Sequence, residues 1–142
     1  MIYLDTSLIV SFMDVKDPNH ELAEEMLEDV EDGVVSRLVL VELSSVYSRA
    51  GLKSPLALAL HSIRSVDARF VEVNFNDVLR MAFKLSPKLG LKTLDLLHVT
   101  AAHLAGAQSF ATLDLDIVRR SSIVRKELGI EVLGPRSHPV DG

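Results

Sequence analysis

The sequence predicts an α/β protein, a three-layer α/β/α sandwich with helices on both faces of a five-stranded parallel sheet. Two observations support this fold class. Short, β-branched apolar runs alternate along the chain with longer segments of helical periodicity, as in parallel strands joined by crossover helices. The chain also has 142 residues, of which 48% are hydrophobic, so a single domain can form one core of sufficient size. We expect residues 1–134 to form this domain and residues 135–142, which include two prolines, to be a loose tail.

The first half of the chain contains three of the predicted strands, at residues 1–4, 34–36 and 69–73. Residues 17–32 are predicted to form a helix, because their apolar side chains fall on one face. Ser36 caps a helix that runs to about Ala50. Ser54 and Pro55 then open another helix, with the capping residue directly before the proline.

The second half continues the same alternation. Asn74 or Asn76 caps a helix that ends at Leu89, and Thr93 caps a helix over residues 94–105. The latter is apolar nearly all round, so we expect it to be buried. The remaining predicted elements are two strands and one short helix, at residues 109–112, 130–133 and 117–121.

Charge and composition limit the function classes. The net charge of −5 arises from an acidic N-terminal region, since residues 1–32 hold ten acids and one base and the rest is mildly basic. We interpret the acidic segment 21–32 as a solvated helix face, although it could attract a basic partner peptide. The absence of cysteine excludes disulfides, thiolate zinc sites and cysteine nucleophiles, and with no secretion signal we expect a cytoplasmic protein. The most apolar stretch, 94–107, is too short and too polar to cross a membrane.

Four acidic residues occupy positions that require an explanation. Asp5 ends the first strand and Asp114 follows the fourth, which places both at the carboxyl edge of the sheet, where such folds bind ligands. Glu42 and Asp95 are charged residues inside apolar helical stretches. Because ionised carboxylates are rarely buried without a partner, a bound metal would supply the missing counter-charge. Several carboxylates without a thiol favour Mg²⁺ or Mn²⁺, and such ions can support in-line displacement at a phosphodiester.

Each of these residues also has an ordinary structural interpretation. Helix caps, turns and contacts with a helix dipole would account for four of the acids without any metal: Asp5, Asp95, Asp114 and Asp116. Glu42 could be a buried, hydrogen-bonded glutamate. His98 lies one turn after Asp95, and we interpret it as a hydrogen-bonded core histidine.

Four motifs occur in a set order along the chain: YLDTS, VLVELSSV, KTLDLLH and ATLDLD. Together they resemble the PIN domain and, within it, the VapC toxins and related archaeal and bacterial ribonucleases. The resemblance extends to about Leu133 and implies the strand order 3-2-1-4-5, in which strands 1 and 4 are neighbours. In that order, Asp5 and Asp114 meet.

The resemblance assigns roles to individual residues. It implies a divalent-metal-dependent endoribonuclease whose catalytic, metal-binding acids are Asp5, Glu42, Asp95 and Asp114. Asp116 is the expected accessory metal ligand, and the small polar residues expected to orient a carboxylate or a water are Thr6, Ser7 and Thr112. The resemblance further implies an RNA substrate, a VapB-like antitoxin docked against the N-terminal helices and the cleft, and a homodimer. Arg37 and Lys92, which each precede a helix with a candidate acid, are the predicted RNA contacts.

Other readings of the motifs remain open at this point. A phosphatase of the haloacid-dehalogenase type carries its D-x-D after the first strand, whereas here the motif follows the fourth. A phospho-receiver domain requires an aspartate after strand 3, where this chain has Asn74. A housekeeping PIN nuclease has the same residues as a toxin, and a non-catalytic PIN-like module that binds RNA or protein would be favoured by the loss of one acid.

Overall fold

The sheet of the computed structural model has five parallel strands in the order β3-β2-β1-β4-β5. The strands are β1 (Ile2–Leu4), β2 (Gly33–Val35), β3 (Arg69–Phe70), β4 (Ser109–Ala111) and β5 (Glu131–Leu133). The structure describes residues 1–135, so the predicted tail lies outside the described residues except for its first residue. The predicted fold class and strand order are confirmed.

Eight helices connect the strands of the described region, residues 1–135. They are α1 (Thr6–Met13), α2 (His20–Glu28), α3 (Arg37–Arg49), α4 (Pro55–Ser65), α5 (Phe75–Leu89), α6 (Thr93–Ala105), α7 (Leu115–Val118) and α8 (Ser121–Leu128). Helices α1 to α4 pack against one another, and α5 packs against α6 and α8. None of the helices in the described region is long and apolar enough to cross a membrane.

The two central strands fix where the site can form. Tyr3 of β1 is paired in register with Phe110 of β4, and their buried rings stack with centroids 5.4 Å apart. Past the ends of these strands, the Asp5 N–H donates to the carbonyl of Ala111 at 2.9 Å. From β1, the sheet extends through β2 and β3 on one side and through β4 and β5 on the other. This switch in strand order leaves a crevice at the carboxyl ends of β1 and β4.

Several helix ends follow the predicted capping chemistry. The Ser36 hydroxyl accepts a hydrogen bond from the Leu38 N–H at 3.2 Å, and the Asn74 side chain accepts one from the Asp77 N–H at 3.2 Å. Gly90 ends α5 in the left-handed region, with φ of 62°, as a residue without a Cβ can do without strain.

Three predictions in the N-terminal half were wrong in detail. The helix predicted over residues 17–32 covers only α2, because a turn at 15–19 separates it from α1. Ser54 precedes Pro55 as predicted, but its φ is 53° and its side chain makes no capping hydrogen bond. Strand β3 has two exposed residues instead of five, because it is an edge strand that pairs only with β2.

Three further differences lie in the C-terminal half. Lys92 holds the N-cap position of α6, and Thr93, the predicted cap, is the first residue of that helix. Helix α6 is not buried all round, since Leu94 and Leu104 lie on its exposed side. The short helix predicted over 117–121 is two helices, α7 and α8. Helix α8 was not predicted as a separate helix. Its buried residue is Val124, on its apolar side.

Candidate active site

A cavity of about 330 Å³ opens at the carboxyl edge of the sheet, where β1 and β4 end. Its polar lining comes from seven residues: Asp5, Thr6, Ser7, Ser11, Glu42, Asp95 and Asp114. The four acids predicted to form the site therefore line the same cavity, although they come from widely separated parts of the chain. Two of them follow strands, and the other two lie on α3 and α6.

Asp5 is held in one orientation by three hydrogen bonds. Its Oδ1 accepts from the Thr6 N–H at 2.9 Å, which caps α1, and its Oδ2 accepts from Ser7 Oγ at 2.9 Å and Thr112 Oγ1 at 2.7 Å. Only 4% of Asp5 is exposed. This burial raises the pKa of Asp5, whereas the nearby His98 and the two hydroxyl donors act in the opposite direction. Asp5 is thus both a helix cap and a fixed carboxylate at the cavity.

Asp114 and Asp95 line the same cavity as Asp5. The Asp114 N–H donates to Thr112 Oγ1 at 2.9 Å, and its Oδ1 accepts from the Asp116 N–H at 2.9 Å at the start of α7. Asp95 lies in the first turn of α6 and is half-buried. Burial, followed by the negative charges of Asp114 and Asp5, raises the pKa of Asp95 to about 7. The carboxylates repel one another, and a cation between them would relieve that repulsion.

Glu42 has a partner that sequence reasoning missed. His98 Nε2 lies 3.1 Å from Glu42 Oε1, and the imidazole is fully buried while 25% of the glutamate side chain is exposed. Burial raises the pKa of Glu42, but the effects that lower it, led by the hydrogen bond to His98, prevail. The signal in the sequence was the position of His98, three residues after Asp95 on the apolar helix α6.

The other predicted residues lie outside the cavity lining. Asp116 makes ion pairs with two basic side chains. Its Oδ2 lies 3.5 Å from Lys92 Nζ, and its Oδ1 lies 3.3 Å from Arg119 Nη1. Arg37 Nη2 lies 3.0 Å from an oxygen of Glu72, and both side chains are exposed. The roles of Asp116 as a metal ligand and of Arg37 and Lys92 as RNA contacts therefore stay predictions.

Comparison with known proteins agrees with the fold and with the geometry of the cavity. The family model described as "PIN domain" matches residues 2–122. The chain belongs to the PIN domain family. It is 26% identical over 136 residues to Ribonuclease VapC35 of Mycobacterium tuberculosis (strain CDC 1551 / Oshkosh), an alignment that covers 95% of this chain and 97% of that protein.

Solved PIN-like structures share the fold. VapC20 of Mycobacterium tuberculosis, described as a sarcin-ricin loop cleaving toxin, superposes with a TM-score of 0.68 at 20% identity and covers 84% of this chain and 94% of its own. VapBC2 from Rickettsia felis, solved with a DNA fragment from its promoter, has a TM-score of 0.63 at 20% identity, with 94% and 98% covered. At these identities, the two structures support the PIN fold and nothing finer.

The donor set of this PIN domain fits a hard divalent cation. Within residues 1–135, no lysine or arginine makes an ion pair with any of the four acids that line the cavity. The Thr6 hydroxyl is buried at the cavity and has no hydrogen-bond partner among the described residues. A carboxylate oxygen of Asp5 and one of Glu42 lie within 4.8 Å of each other. Carboxylate oxygens without a thiol are the ligands that Mg²⁺ and Mn²⁺ prefer.

Proposed function

We propose that the protein is a divalent-metal-dependent endoribonuclease, using Mg²⁺ or Mn²⁺, that hydrolyses RNA phosphodiester bonds. The observation that carries this proposal is the convergence of four carboxylates, from four separate elements, on one open cavity without a lysine or arginine partner in the described region. Membership of the PIN domain family and the full-length match to a protein named as a ribonuclease support it.

The proposed ligands are Asp5, Glu42, Asp95 and Asp114. A bound divalent ion would supply Lewis-acid polarisation of the scissile phosphate and would lower the pKa of a water. Asp5 contributes an oxygen whose direction is set by Thr6, Ser7 and Thr112, so it need not reorganise when a substrate arrives. Asp95 and Asp114 add negative charge to the same cavity as Asp5, and this charge would favour the binding of a cation there.

The RNA itself would be held from outside the acidic cavity. Lys92 and Arg119 stand at the same edge of the sheet, joined by Asp116, and both are exposed. Such cations can contact phosphates on either side of the cleaved bond. The described region has neither tryptophan nor an exposed tyrosine near the cavity, so recognition through RNA shape and backbone is favoured over base stacking.

The test is RNA cleavage by the purified protein, measured with an end-labelled structured RNA. We expect cleavage with Mg²⁺ or Mn²⁺, no cleavage with EDTA, and recovery when the metal is returned. Asp5→Asn should lower the cleavage rate by about 1000-fold, which corresponds to about 4 kcal/mol of lost transition-state stabilisation. Glu25→Gln, on the exposed face of α2, is the matched control and should leave the rate unchanged. Cleavage that resists EDTA, or that survives in Asp5→Asn, would overturn the proposal.

We further propose that this ribonuclease is the toxin of a VapBC-type pair, restrained by a VapB-like antitoxin. The names of its relatives support this assignment, since they are a VapC protein, a VapC toxin and a VapBC complex. Expression of the chain alone in a bacterial host should arrest growth. We expect a short reading frame beside its gene to encode the antitoxin, and co-expression of that antitoxin should restore growth. Asp5→Asn should arrest nothing. Growth unaffected by an active enzyme would favour a housekeeping nuclease instead.

A further inference from the structure

A buried chain of hydrogen bonds connects the core beneath β1 to the active-site glutamate. Ser36 Oγ lies 2.6 Å from the Tyr3 hydroxyl, which lies 3.1 Å from His98 Nδ1. His98 Nε2 in turn lies 3.1 Å from Glu42 Oε1. Tyr3, Ser36 and His98 are all 0% exposed, so the contacts of the Tyr3 hydroxyl with Ser36 and His98 are shielded from bulk water.

The number of protons in this chain determines its direction. A carboxylate has no proton, so His98 Nε2 must be the donor to Glu42. In a neutral imidazole, Nδ1 then accepts, and the Tyr3 hydroxyl is the group that reaches it. The Tyr3 oxygen accepts in turn from Ser36, whose oxygen already accepts from the Leu38 N–H. Every donor therefore has an acceptor, and the chain ends on Glu42.

A charged imidazole would leave this arrangement incomplete. With protons on both ring nitrogens, Nδ1 would donate to Tyr3 and Tyr3 would donate to Ser36. Ser36 would then accept from both Tyr3 and Leu38, and its own proton would have no acceptor in the hydrogen bonds of residues 1–135. A buried donor without a partner is costly, and only the arrangement with the proton on Nε2 satisfies every hydrogen bond of the chain.

The ring of Tyr3 makes the chain rigid as well as continuous. Tyr3 stacks on Phe110, with the ring planes only 8° apart, and Ser36 is fixed as the cap of α3. Tyr3 and Ser36 are thus both fixed to central elements of the fold. Glu42 lies on α3 and His98 on α6, so the final hydrogen bond also sets the spacing between two helices that carry acids of the site.

From these contacts we infer that His98 is a positioning residue for Glu42, held by Tyr3 and Ser36 with its Nε2–H directed at the carboxylate, and is not itself a metal ligand. The inference rests on the proposed function, because it gives Glu42 a defined orientation toward the cation. His98 is close enough to Asp5 and Glu42 to be mistaken for a third ligand. Its Nε2, however, carries the proton that Glu42 accepts, and its Nδ1 accepts a hydrogen bond from the Tyr3 hydroxyl.

The first test reads the tautomer directly. Long-range ¹H–¹⁵N correlation spectra of histidine-labelled, metal-free protein give the protonation of each ring nitrogen, and His98 is assigned by the signals that disappear in His98→Gln. We expect a proton on Nε2 and none on Nδ1, unchanged when Mg²⁺ is added. A proton on Nδ1, or loss of the Nε2 proton on addition of Mg²⁺, would overturn the inference. This result does not depend on RNA cleavage, so an inactive protein would refute the proposed function alone.

Two variants separate positioning from structural support. Tyr3→Phe keeps the stacked ring and removes only the hydroxyl, so we expect the fold and the Nε2 proton to be retained, because Glu42 still accepts from Nε2, and the Nδ1 resonance to shift because it loses its donor. His98→Ala should lower kcat by about 10–100-fold with little change in KM for RNA, and His98→Gln should restore part of it through its amide donor. Thermal unfolding of each variant identifies any loss caused by misfolding. A normal kcat in folded His98→Ala, or an Nδ1 resonance that does not shift in Tyr3→Phe, would contradict the assigned role.

Discussion

The protein has two acidic regions, the acids of the cavity and the acids of helix α2, and they differ in their exposure and in their surroundings. The α2 region contains five exposed acids: Glu21, Glu24, Glu25, Glu28 and Asp29. The cavity contains Asp5, Glu42, Asp95 and Asp114, all buried or half-buried. On α2, the carboxylates are exposed to water, which screens them from one another, and Glu24 also contacts His20 at 3.1 Å. In the cavity, burial and like charge together raise the pKa of Asp95 to about 7.

This difference teaches that the number of acidic residues does not define the site. The N-terminal 32 residues contain half of the acids of the chain, but only Asp5 among them reaches the cavity. A carboxylate becomes a metal ligand where the fold brings it to other carboxylates, away from water and from basic side chains. Neutralising one acid in each region therefore tests whether burial and convergence, or total charge, are responsible for activity.

The largest expected difference is in catalysis. Asp95→Asn and Asp114→Asn should each lower the RNA cleavage rate by at least about 100-fold, or about 3 kcal/mol, because each removes an oxygen proposed to bind the cation. Glu28→Gln on α2 should change the rate less than about twofold at matched ionic strength. Single-turnover rates with a labelled RNA measure both. An equal loss in the two regions would mean that charge as such controls the reaction.

Divalent metal should stabilise the protein through the cavity alone. At a Mn²⁺ concentration 100 times its dissociation constant, we expect the free energy of unfolding to rise by about 2.7 kcal/mol, seen as a higher Tm. Glu28→Gln should show the same increase, whereas Asp95→Asn, with an affinity at least about tenfold lower, should gain about 1.4 kcal/mol or less at the same Mn²⁺ concentration. If Asp95→Asn gained as much as the wild type, the ion would be bound elsewhere.

In the absence of metal, the cavity acids should make stability depend on pH. The raised pKa of Asp95, about 7 against the usual 3.8, means that the folded state binds its proton more tightly than the unfolded state. Stability should therefore fall as pH rises from about 4 to 7 and level off above. After allowance for solvent screening of this half-buried group, Asp95→Asn should be more stable than wild type by about 1–2 kcal/mol at pH 8, with no gain at pH 4. Urea denaturation at the two values would contradict this if the difference were constant.

Asp116 provides the finest test, because it lies only two residues from Asp114. The resemblance to PIN domains predicts a metal ligand there, whereas Asp116 pairs with Lys92 and Arg119 at the surface. Exposed ion pairs contribute at most about 1 kcal/mol, so we expect Asp116→Asn to lower the cleavage rate less than about tenfold. The dependence on Mn²⁺ concentration should be unchanged, while the dependence on salt should alter. A loss equal to that of Asp114→Asn would place Asp116 among the ligands.

The sequence alone was sufficient for the parts of the site that strand ends determine. Asp5 and Asp114 follow strands whose carboxyl ends share an edge, and the strand order implied by the resemblance to PIN domains makes those strands neighbours, so their meeting could be predicted. The hydrogen bond between His98 and Glu42 could not, because it depends on how closely α3 and α6 approach, which no local pattern specifies. The same holds for Asp116, whose direction depends on the rotation of the single-turn helix α7. The length of β3 was likewise decided by its edge position and not by its apolar residues.

The most direct measurement of the central claim is Mn²⁺ binding, followed by the electron paramagnetic resonance signal of the free ion. Wild type and Glu28→Gln should bind Mn²⁺ with the same affinity, and Asp95→Asn should bind it at least about tenfold more weakly, because Asp95 is a proposed ligand and Glu28 is not. Equal affinity in all three proteins, or no binding by the wild type, would contradict the account of the cavity as a metal site.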